Sequence, residues 1–238
     1  MHDVGISCRR IVNGLKELHI DMAQVEGIFI SHEHSDHIAG LQQLLKRFDI
    51  PVYTKQGTWR EIQDKLVVPK NQLIELTKGS LSLGNLIVEP FAVSHDAADP
   101  IGINVFSGND KATVVTDTGI ISDDILHRID DSTLLVLEAN YDPHMLRFGP
   151  YQPFLKQRVA SDEGHLSNEM AAQALLMMKR PDFMQVILAH RSENNNNAVL
   201  VTQTIGKMLV DGGVRIGPEM KLQHGQPNEI VSMQSIKR

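Results

Sequence analysis

Cysteine is almost absent from this chain: Cys8 is the only one in 238 residues. That excludes a disulfide framework and any zinc module built on paired cysteines, and it suits a reducing compartment. Long apolar runs are missing too. None approaches the roughly 20 residues of a membrane span, and the first residues are polar where a secretory signal would carry its apolar stretch. The expected location is the cytoplasm, with no membrane partner. Basic charge is in short supply, with 23 Lys and Arg against 29 Asp and Glu and a net charge of −6. Phosphate binding ordinarily leaves a basic footprint, so this balance argues mildly against a nucleic acid. No internal repeat, low-complexity tract or linker-like stretch divides the chain. With 42% apolar and 22% charged residues, residues 1–238 are expected to form a single domain with a sizeable core.

Against these absences stands Ser31-His32-Glu33-His34-Ser35-Asp36-His37, three histidines and an aspartate within six residues. It directly follows Gly27-Ile28-Phe29-Ile30, an apolar run that reads as a buried strand. The cluster is therefore expected on a loop held rigidly at a strand's carboxyl end. Imidazole plus carboxylate is the ligand set that borderline divalent metals favour. With 11 His in the whole chain, chance clustering is a poor explanation. Spacing removes the neighbouring alternatives. A zincin needs H-E-x-x-H on one helical face, and Asp36 stands where its second His would be. A nucleobase deaminase needs a C-x-x-C that a chain with one Cys cannot supply.

Four further donors each stand at or beside a strand-like run. They are Asp3 in Met1-His2-Asp3-Val4-Gly5, His95 in Val93-Ser94-His95-Asp96, Asp117 in Val114-Val115-Thr116-Asp117, and His190 after Val186-Ile187-Leu188-Ala189. Any one alone reads as a turn or capping residue. In kind and order, together with the His32–His37 cluster, they resemble the metallo-β-lactamase superfamily. Glu138-Ala139-Asn140 and Gly164-His165-Leu166-Ser167-Asn168-Glu169 resemble its nuclease side. Asn140-Tyr141-Asp142, Met145-Leu146-Arg147, Gly149-Pro150-Tyr151 and Leu155-Lys156-Gln157-Arg158 look most like the YycJ (WalJ) branch, whose members are 5′-to-3′ exonucleases on duplex DNA. The likeness runs from Asp3 to Asn195. Two departures accompany it. The sequence begins at the Asp motif, ahead of which the family carries a Gly/Ser-rich strand pair, so either its start is assigned late or the hairpin is lacking; and Arg191 stands where the branch has an apolar residue.

The resemblance implies an α/β fold, the four-layer αβ/βα metallo-β-lactamase sandwich, here without its first hairpin. The strand and helix pattern agrees with layered α/β architecture. Ser7 can cap a helix with Ile11, Leu15 and Leu18 on one face, and Ile38, Leu41, Leu44 and Leu45 mark another, closed by Pro51. Val52-Tyr53 reads as a strand, and Trp59, Ile62 and Leu66 as a helix. Leu73 to Asp117 reads as successive strands, with turns at Lys78-Gly79, Leu83-Gly84-Asn85 and Gly108-Asn109-Asp110. Then come a helix over Asp123–Ile129, a strand over Leu134–Glu138, helical pieces to Ala160, a helix over Ser167–Lys179, a strand over Met184–His190, a helix over Ala198–Val210, and short strands near Val214 and Ile230.

It also implies a binuclear centre. His32, His34 and His95 would hold one divalent ion, Asp36, His37 and His190 the second, and Asp117 would bridge them. Mixed nitrogen and oxygen donors suit zinc or manganese. Two such ions stabilise charge on the entering and leaving oxygens of a phosphodiester, and they would offset much of the chain's negative charge at the site itself. Asp36, Glu138 and His165 would serve catalysis, with Glu138 orienting His165 and His165 protonating the leaving alkoxide. Read without the resemblance, Glu138 only ends a strand and His165 only precedes a helix cap. Asp3 would accept a proton from a ligand imidazole and fix its tautomer, or else be a frayed terminal residue.

For substrate, Arg147, Lys156 and Arg158 interleave with Tyr141, Phe148, Tyr151 and Phe154, the components of a nucleic-acid groove. An amphipathic connector with a solvated face reads equally well. Ser167 and Asn168 suit either a phosphate at a helix N-terminus or plain capping, and Ser192 either a substrate loop or a polar turn. The reading is a metal-dependent phosphodiesterase acting on nucleic acid, DNA by resemblance. Its rivals are a small-molecule thioester or lactone hydrolase on the same metal site, and an inactive protein that binds metal or nucleic acid.

Overall fold

The structure, a computed structural model, describes residues 1–77, 79–226 and 229–232. The first residue of the expected Lys78-Gly79 turn lies outside them. The chain divides into two compact units, Met1–Leu83 with Ala97–Ile101, and Gly84–Asp96 with Gly102–Arg238.

The first unit opens with helix α1 (Cys8–Glu17), where the Ser7 hydroxyl accepts from Arg10 N as the capping reading requires. Ile11 and Cys8 are buried, whereas Leu18, expected on the same face, is the exposed C-cap. Strands β1 (Ile28–Phe29), β2 (Val52–Thr54) and β3 (Leu73–Glu75) form a parallel sheet in that order. Parallel neighbours need crossovers. Helices α2 (Ser35–Ile38) and α3 (Leu41–Leu45) supply the first and α4 (Gln56–Lys65) the second. Strand β4 (Leu81–Leu83) follows. Val4, Ile28, Ile30, Ile38, Leu41, Leu44, Val52, Trp59 and Ile62 make the core.

Residues 1–3 run along β1: Asp3 N donates to Phe29 O at 2.8 Å, and Phe29 N donates to Met1 O at 2.8 Å. Asp3 is not frayed. The helix expected across Ile38–Leu45 is interrupted between α2 and α3, where the chain at Gly40 presses against residues 4–6. Gly40 N donates to Val4 O at 2.8 Å, and a Cβ there would stand 2.2 Å from Ile6 O and 2.9 Å from Val4 O.

In the second unit the strand order is β10–β9–β8–β7–β6–β5. Its strands in chain order are β5 (Leu86–Ala92), β6 (Ile101–Ser107), β7 (Asp110–Val115), β8 (Leu134–Glu138), β9 (Met184–Ala189) and β10 (Met220–His224). β6 and β7 are an antiparallel hairpin turned at Gly108, with φ +59°. From β7 to β10 all pairs are parallel, and every link is helical. Helix α5 (Asp123–Ile129) joins β7 to β8. Helices α6 (Pro143–Phe148), α7 (Pro153–Val159) and α8 (Asn168–Met177) join β8 to β9, and α9 (Ala198–Asp211) joins β9 to β10. Leu135, Leu137, Val186 and Leu188 of the sheet pack with Ile125, Ile129, Leu175, Val201, Ile205 and Leu209 of the helices.

Two expectations fail at the end of the chain. Val214 is no strand: its N–H donates to Leu209 O in the turn that closes α9, with Gly213 at φ +85°. Ile230 also lies outside any strand. Among the described residues the last strand is β10, whose Met-Lys-Leu-Gln-His sequence is too polar to register as an apolar run; it lies at the sheet's edge beside β9. Each unit is a sheet with flanking helices, the mixed α/β pattern read from the sequence.

The close approach at Gly40 generates a first prediction. Gly40→Ala must push the 4–6 segment off α3, so it should lower stability by about 1–3 kcal/mol, the usual cost of overpacking. A urea unfolding series reads this as a lower midpoint at unchanged slope. An unchanged midpoint would mean that residues 4–6 are not held there.

Candidate metal centre

In the first unit, His32 and His34 sit on the segment leaving β1, and Asp36 and His37 lie in α2. His32 and His37 are buried and Asp36 is exposed. Asp3 organises them through Ser31. Ser31 N donates to Asp3 Oδ1 at 2.8 Å, and Ser31 Oγ donates to Asp3 Oδ2 at 2.8 Å while lying 2.9 Å from His32 Nδ1. The other bond to Asp3 Oδ2 comes from His37 Nδ1, also at 2.8 Å. His32 Nε2 and His34 Nδ1 converge to 3.1 Å. Burial pushes the Asp3 carboxyl up, but the charge of His2, the His37 bond and the Ser31 N–H together hold it well below the usual carboxylate range. An ionised Asp3 accepts a hydrogen bond from His37 Nδ1–H, which turns Nε2 toward the side where a cation would be held.

In the second unit, His95 follows β5, Asp117 follows β7, Glu138 ends β8, His165 precedes α8 and His190 follows β9. One donor atom from each of Asp117, Glu138, His165 and His190 lies within 4.8 Å of the others. Glu138 has no exposed surface. Its Oε1 accepts from His165 Nδ1 at 2.8 Å and from His190 Nδ1 at 2.7 Å, and its Oε2 accepts from Thr118 N at 3.1 Å and Leu166 N at 3.2 Å. Burial pushes this carboxyl up, yet the two imidazoles overcome it and hold Glu138 well below the usual range. His95 Nδ1 lies 3.1 Å from Gly164 O, and burial pushes its imidazole down toward the neutral form.

The donor chemistry fits a cation. His37, His95 and His190 each have Nδ1 on an oxygen acceptor, the arrangement that orients a ligand imidazole and frees Nε2. Nε2 of His95 and of His190 then face Asp117 Oδ1 at 3.7 Å and 3.4 Å. Two imidazole nitrogens and a carboxylate oxygen gathered at these separations are the donor set that a divalent cation takes. Asp3, Asp117 and His190 all hold left-handed backbone, with φ of +50°, +56° and +52°. Non-glycine residues keep such conformations where the surroundings over-determine them, commonly at functional sites.

Of the residues read as substrate contacts, Lys156, Arg158, Ser167, Asn168 and Ser192 each bond within the chain, while the Arg147 guanidinium lies beside the Phe148 ring. Arg158 Nε bonds the Asp96 carboxylate, and Lys156 Nζ donates to Arg147 O at 2.8 Å. Ser167 Oγ caps α8 by accepting from Met170 N at 3.2 Å, and Ser192 Oγ accepts from Asn195 N at 3.1 Å. Asn168 is buried, its side chain paired with Asn196. Sequence reasoning missed four supporting residues: Ser31, Thr118, Asn140 and Asn196. Asn140 Nδ2 donates to His190 O at 2.8 Å, and Asn196 Nδ2 reaches Ala139 O and Asn140 O at 3.0 Å and 3.1 Å. Ser31 adjoins the histidine cluster and Asn140 closes the Glu-Ala-Asn motif, so both carried a signal. Asn196 sits in a run of four asparagines that gave none.

A family model for the beta-lactamase superfamily domain matches residues 9–190. "Exodeoxyribonuclease YycJ" of Bacillus anthracis is 33% identical over 236 residues, covering 98% of this chain and 89% of the relative. "Exodeoxyribonuclease WalJ" of Streptococcus pneumoniae is 30% identical over 239 residues, covering 98% and 88%. Among solved structures, Zn(2+)-bound PqqB from Methylobacterium extorquens superposes with a TM-score of 0.67 at 15% identity, covering 94% of this chain and 80% of that one, a likeness of fold alone. The chain belongs to the beta-lactamase superfamily.

Asp3 and Glu138 set the acid limb of stability. Both folded-state carboxyls lie below their unfolded values, so each stabilises the fold above about pH 4 and loses that contribution as the pH falls further. Glu138→Gln should therefore lower stability near neutral pH and flatten its fall in acid. Thermal unfolding in chelator across the acid range tests this; parallel curves for the two proteins would refute it.

Proposed function

We propose that this chain is a metal-dependent phosphodiesterase that degrades DNA from its ends, residues 1–238 acting as a single functional domain. The observation that carries the reading is Glu138, one buried carboxylate oxygen shared by His165 and His190. The exodeoxyribonuclease relatives, similar over 98% of the chain, support it. His32, His34 and His95 would hold one divalent ion, Asp36, His37 and His190 a second, and Asp117 would bridge them, with zinc or manganese suited to the donors. Two such ions stabilise the charge that phosphodiester cleavage places on the entering and leaving oxygens.

The chain's own residues supply orientation and a proton. Asp3, Gly164 O and Glu138 fix the rings of His37, His95 and His190. His165 has Nδ1 committed to Glu138, so the proton it gives to the leaving alkoxide comes from Nε2, and the ionised Glu138 stabilises the imidazolium before transfer. A thioester, whose thiolate leaves without protonation, has little need of such a donor.

Metal analysis should find close to two divalent ions per chain, and Asp117→Ala should abolish the pair because it removes the shared ligand. A single site indifferent to that change would exclude the binuclear reading. Linear duplex DNA should be degraded from its ends, with 5′-to-3′ polarity expected on end-labelled strands. Efficient thioester hydrolysis with intact DNA would overturn the assignment.

His165→Ala should lower kcat on DNA by roughly 10²–10⁴-fold, the range for a positioned acid, without changing metal content. The loss should shrink on a substrate with a p-nitrophenolate leaving group, which needs little protonation. An equal loss on both substrates would mean that His165 positions the phosphate and does not protonate the leaving oxygen.

A further inference from the structure

Residues 141–160 form an arch whose two feet stand on the candidate site of the second unit. At the first foot, Asn140 Nδ2 holds His190 O at 2.8 Å, and Tyr141 O accepts from Asn168 N at 3.0 Å. At the second, Arg158 bonds Asp96, the neighbour of His95, and Val159 O accepts from His165 N at 2.9 Å. Between them the arch has its own interior: Tyr141, Leu146 and Val159 are buried, with Tyr151 and Leu155 against them. Phe148 and Phe154 take no part in it. They end α6 and begin α7 with 67% and 70% of their surface exposed.

The charge around these rings is unlike that of the rest of the chain. Residues 141–160 carry Arg147, Lys156 and Arg158 against the single acid Asp142, in a protein of net charge −6. Asp142 is spent on capping α6, its Oδ1 accepting from Met145 N at 2.8 Å. The Arg147 guanidinium lies 5.3 Å from the Phe148 ring centre, and Lys156 Nζ is hydrogen-bonded to Arg147 O. A purely apolar partner has no use for these cations, and a closed duplex has no free base face for the rings. Unpaired nucleotides use both, since cations meet phosphates and aromatic faces stack on bases.

We propose that the arch is a platform for unpaired nucleotides at a DNA end, with Phe148 and Phe154 stacking on bases and Arg147 and Lys156 facing the backbone. This rests on the nuclease reading, and it adds a substrate preference: ends with a short single-stranded extension are bound ahead of blunt ends.

The test uses the full metal-loaded chain, a labelled oligonucleotide in equilibrium binding, and duplexes with blunt or extended ends in turnover. Phe148→Ala with Phe154→Ala should weaken oligonucleotide binding and raise KM on extended duplexes roughly five- to a hundredfold, the range for lost base stacking. kcat should hold, and the preference for extended over blunt ends should vanish. Phe148→Tyr with Phe154→Tyr should restore both. Arg147→Ala with Lys156→Ala should instead lower the salt dependence of binding, a slope that the ring variants leave alone. Unchanged oligonucleotide binding in the alanine pair overturns the platform, as does an equal KM rise on blunt and extended ends. So does ring-dependent binding to anionic lipid vesicles with none to the oligonucleotide. A wild-type chain that binds the oligonucleotide through the rings but degrades no DNA leaves the platform standing and removes the nuclease reading. One that degrades DNA with variants indistinguishable from it does the reverse.

Discussion

The second unit is organised around a charge that has no exposed surface. Placing an ionised carboxylate in a protein interior costs several kcal/mol unless hydrogen bonds replace its water. Glu138 receives four: two imidazole Nδ1 groups on one oxygen and the Thr118 and Leu166 N–H groups on the other. These donors come from the ends of β7 and β9 and from the approach to α8, so satisfying one charge fixes the relative positions of three chain segments. The parallel register of β8 with β7 and β9 brings them there, with Val115 opposite Leu137 and Ala189 opposite Glu138. Removing the carboxylate would leave four donors without an acceptor. The surrounding geometry is therefore as dependent on Glu138 as the two histidines are.

The same logic explains the backbone conformations at the strand ends. A left-handed φ at a non-glycine residue costs of order 1–3 kcal/mol. Asp3, Asp117 and His190 all adopt it. Each stands where a strand-like segment turns sharply, and two are held on both sides, Asp3 by Ser31 and His37, His190 by Glu138 and Asn140. The turn aims the side chain across the strand end instead of along the sheet face. A residue chosen for folding alone would be glycine or asparagine at these places. His19 and Asp131 hold the same backbone away from the site, so it is the convergence of donors around Asp3, Asp117 and His190, and not the conformation alone, that sets these three apart.

Much of this was legible because period and chemistry coincide. α5 and β8 fall at their read bounds, Asp123–Ile129 and Leu134–Glu138, since a Ser122 cap and an apolar run mark them plainly. His32, His34, Asp36 and His37 are a dense cluster, and Asp117 and His190 each follow β-branched strands, so donor type and position reinforce one another. What was not legible depends on contacts distant in sequence. The break between α2 and α3 is set by residues 4–6, the edge strand β10 carries no apolar alternation, and Asn196 bears on the site only through its bonds to Ala139 O and Asn140 O. Glu138 was read as the partner of His165; its equal hold on His190 needed β9 laid beside β8.

Net charge was uninformative about substrate for a related reason. It counts every carboxylate alike, whereas Asp3, Glu138 and Asp117 have imidazoles beside them: Asp3 bonds that of His37, Glu138 those of His165 and His190, and Asp117 faces His95 and the same His190. A substrate meets the field near its binding surface, screened beyond roughly 8–10 Å at ordinary ionic strength. Over residues 141–160 the balance is positive, and the single acid there is turned into a helix cap. An acidic chain can thus present a cationic, aromatic surface to a polyanion without altering its overall charge. The sign of the whole sequence and the sign of the surface that matters are set by different residues.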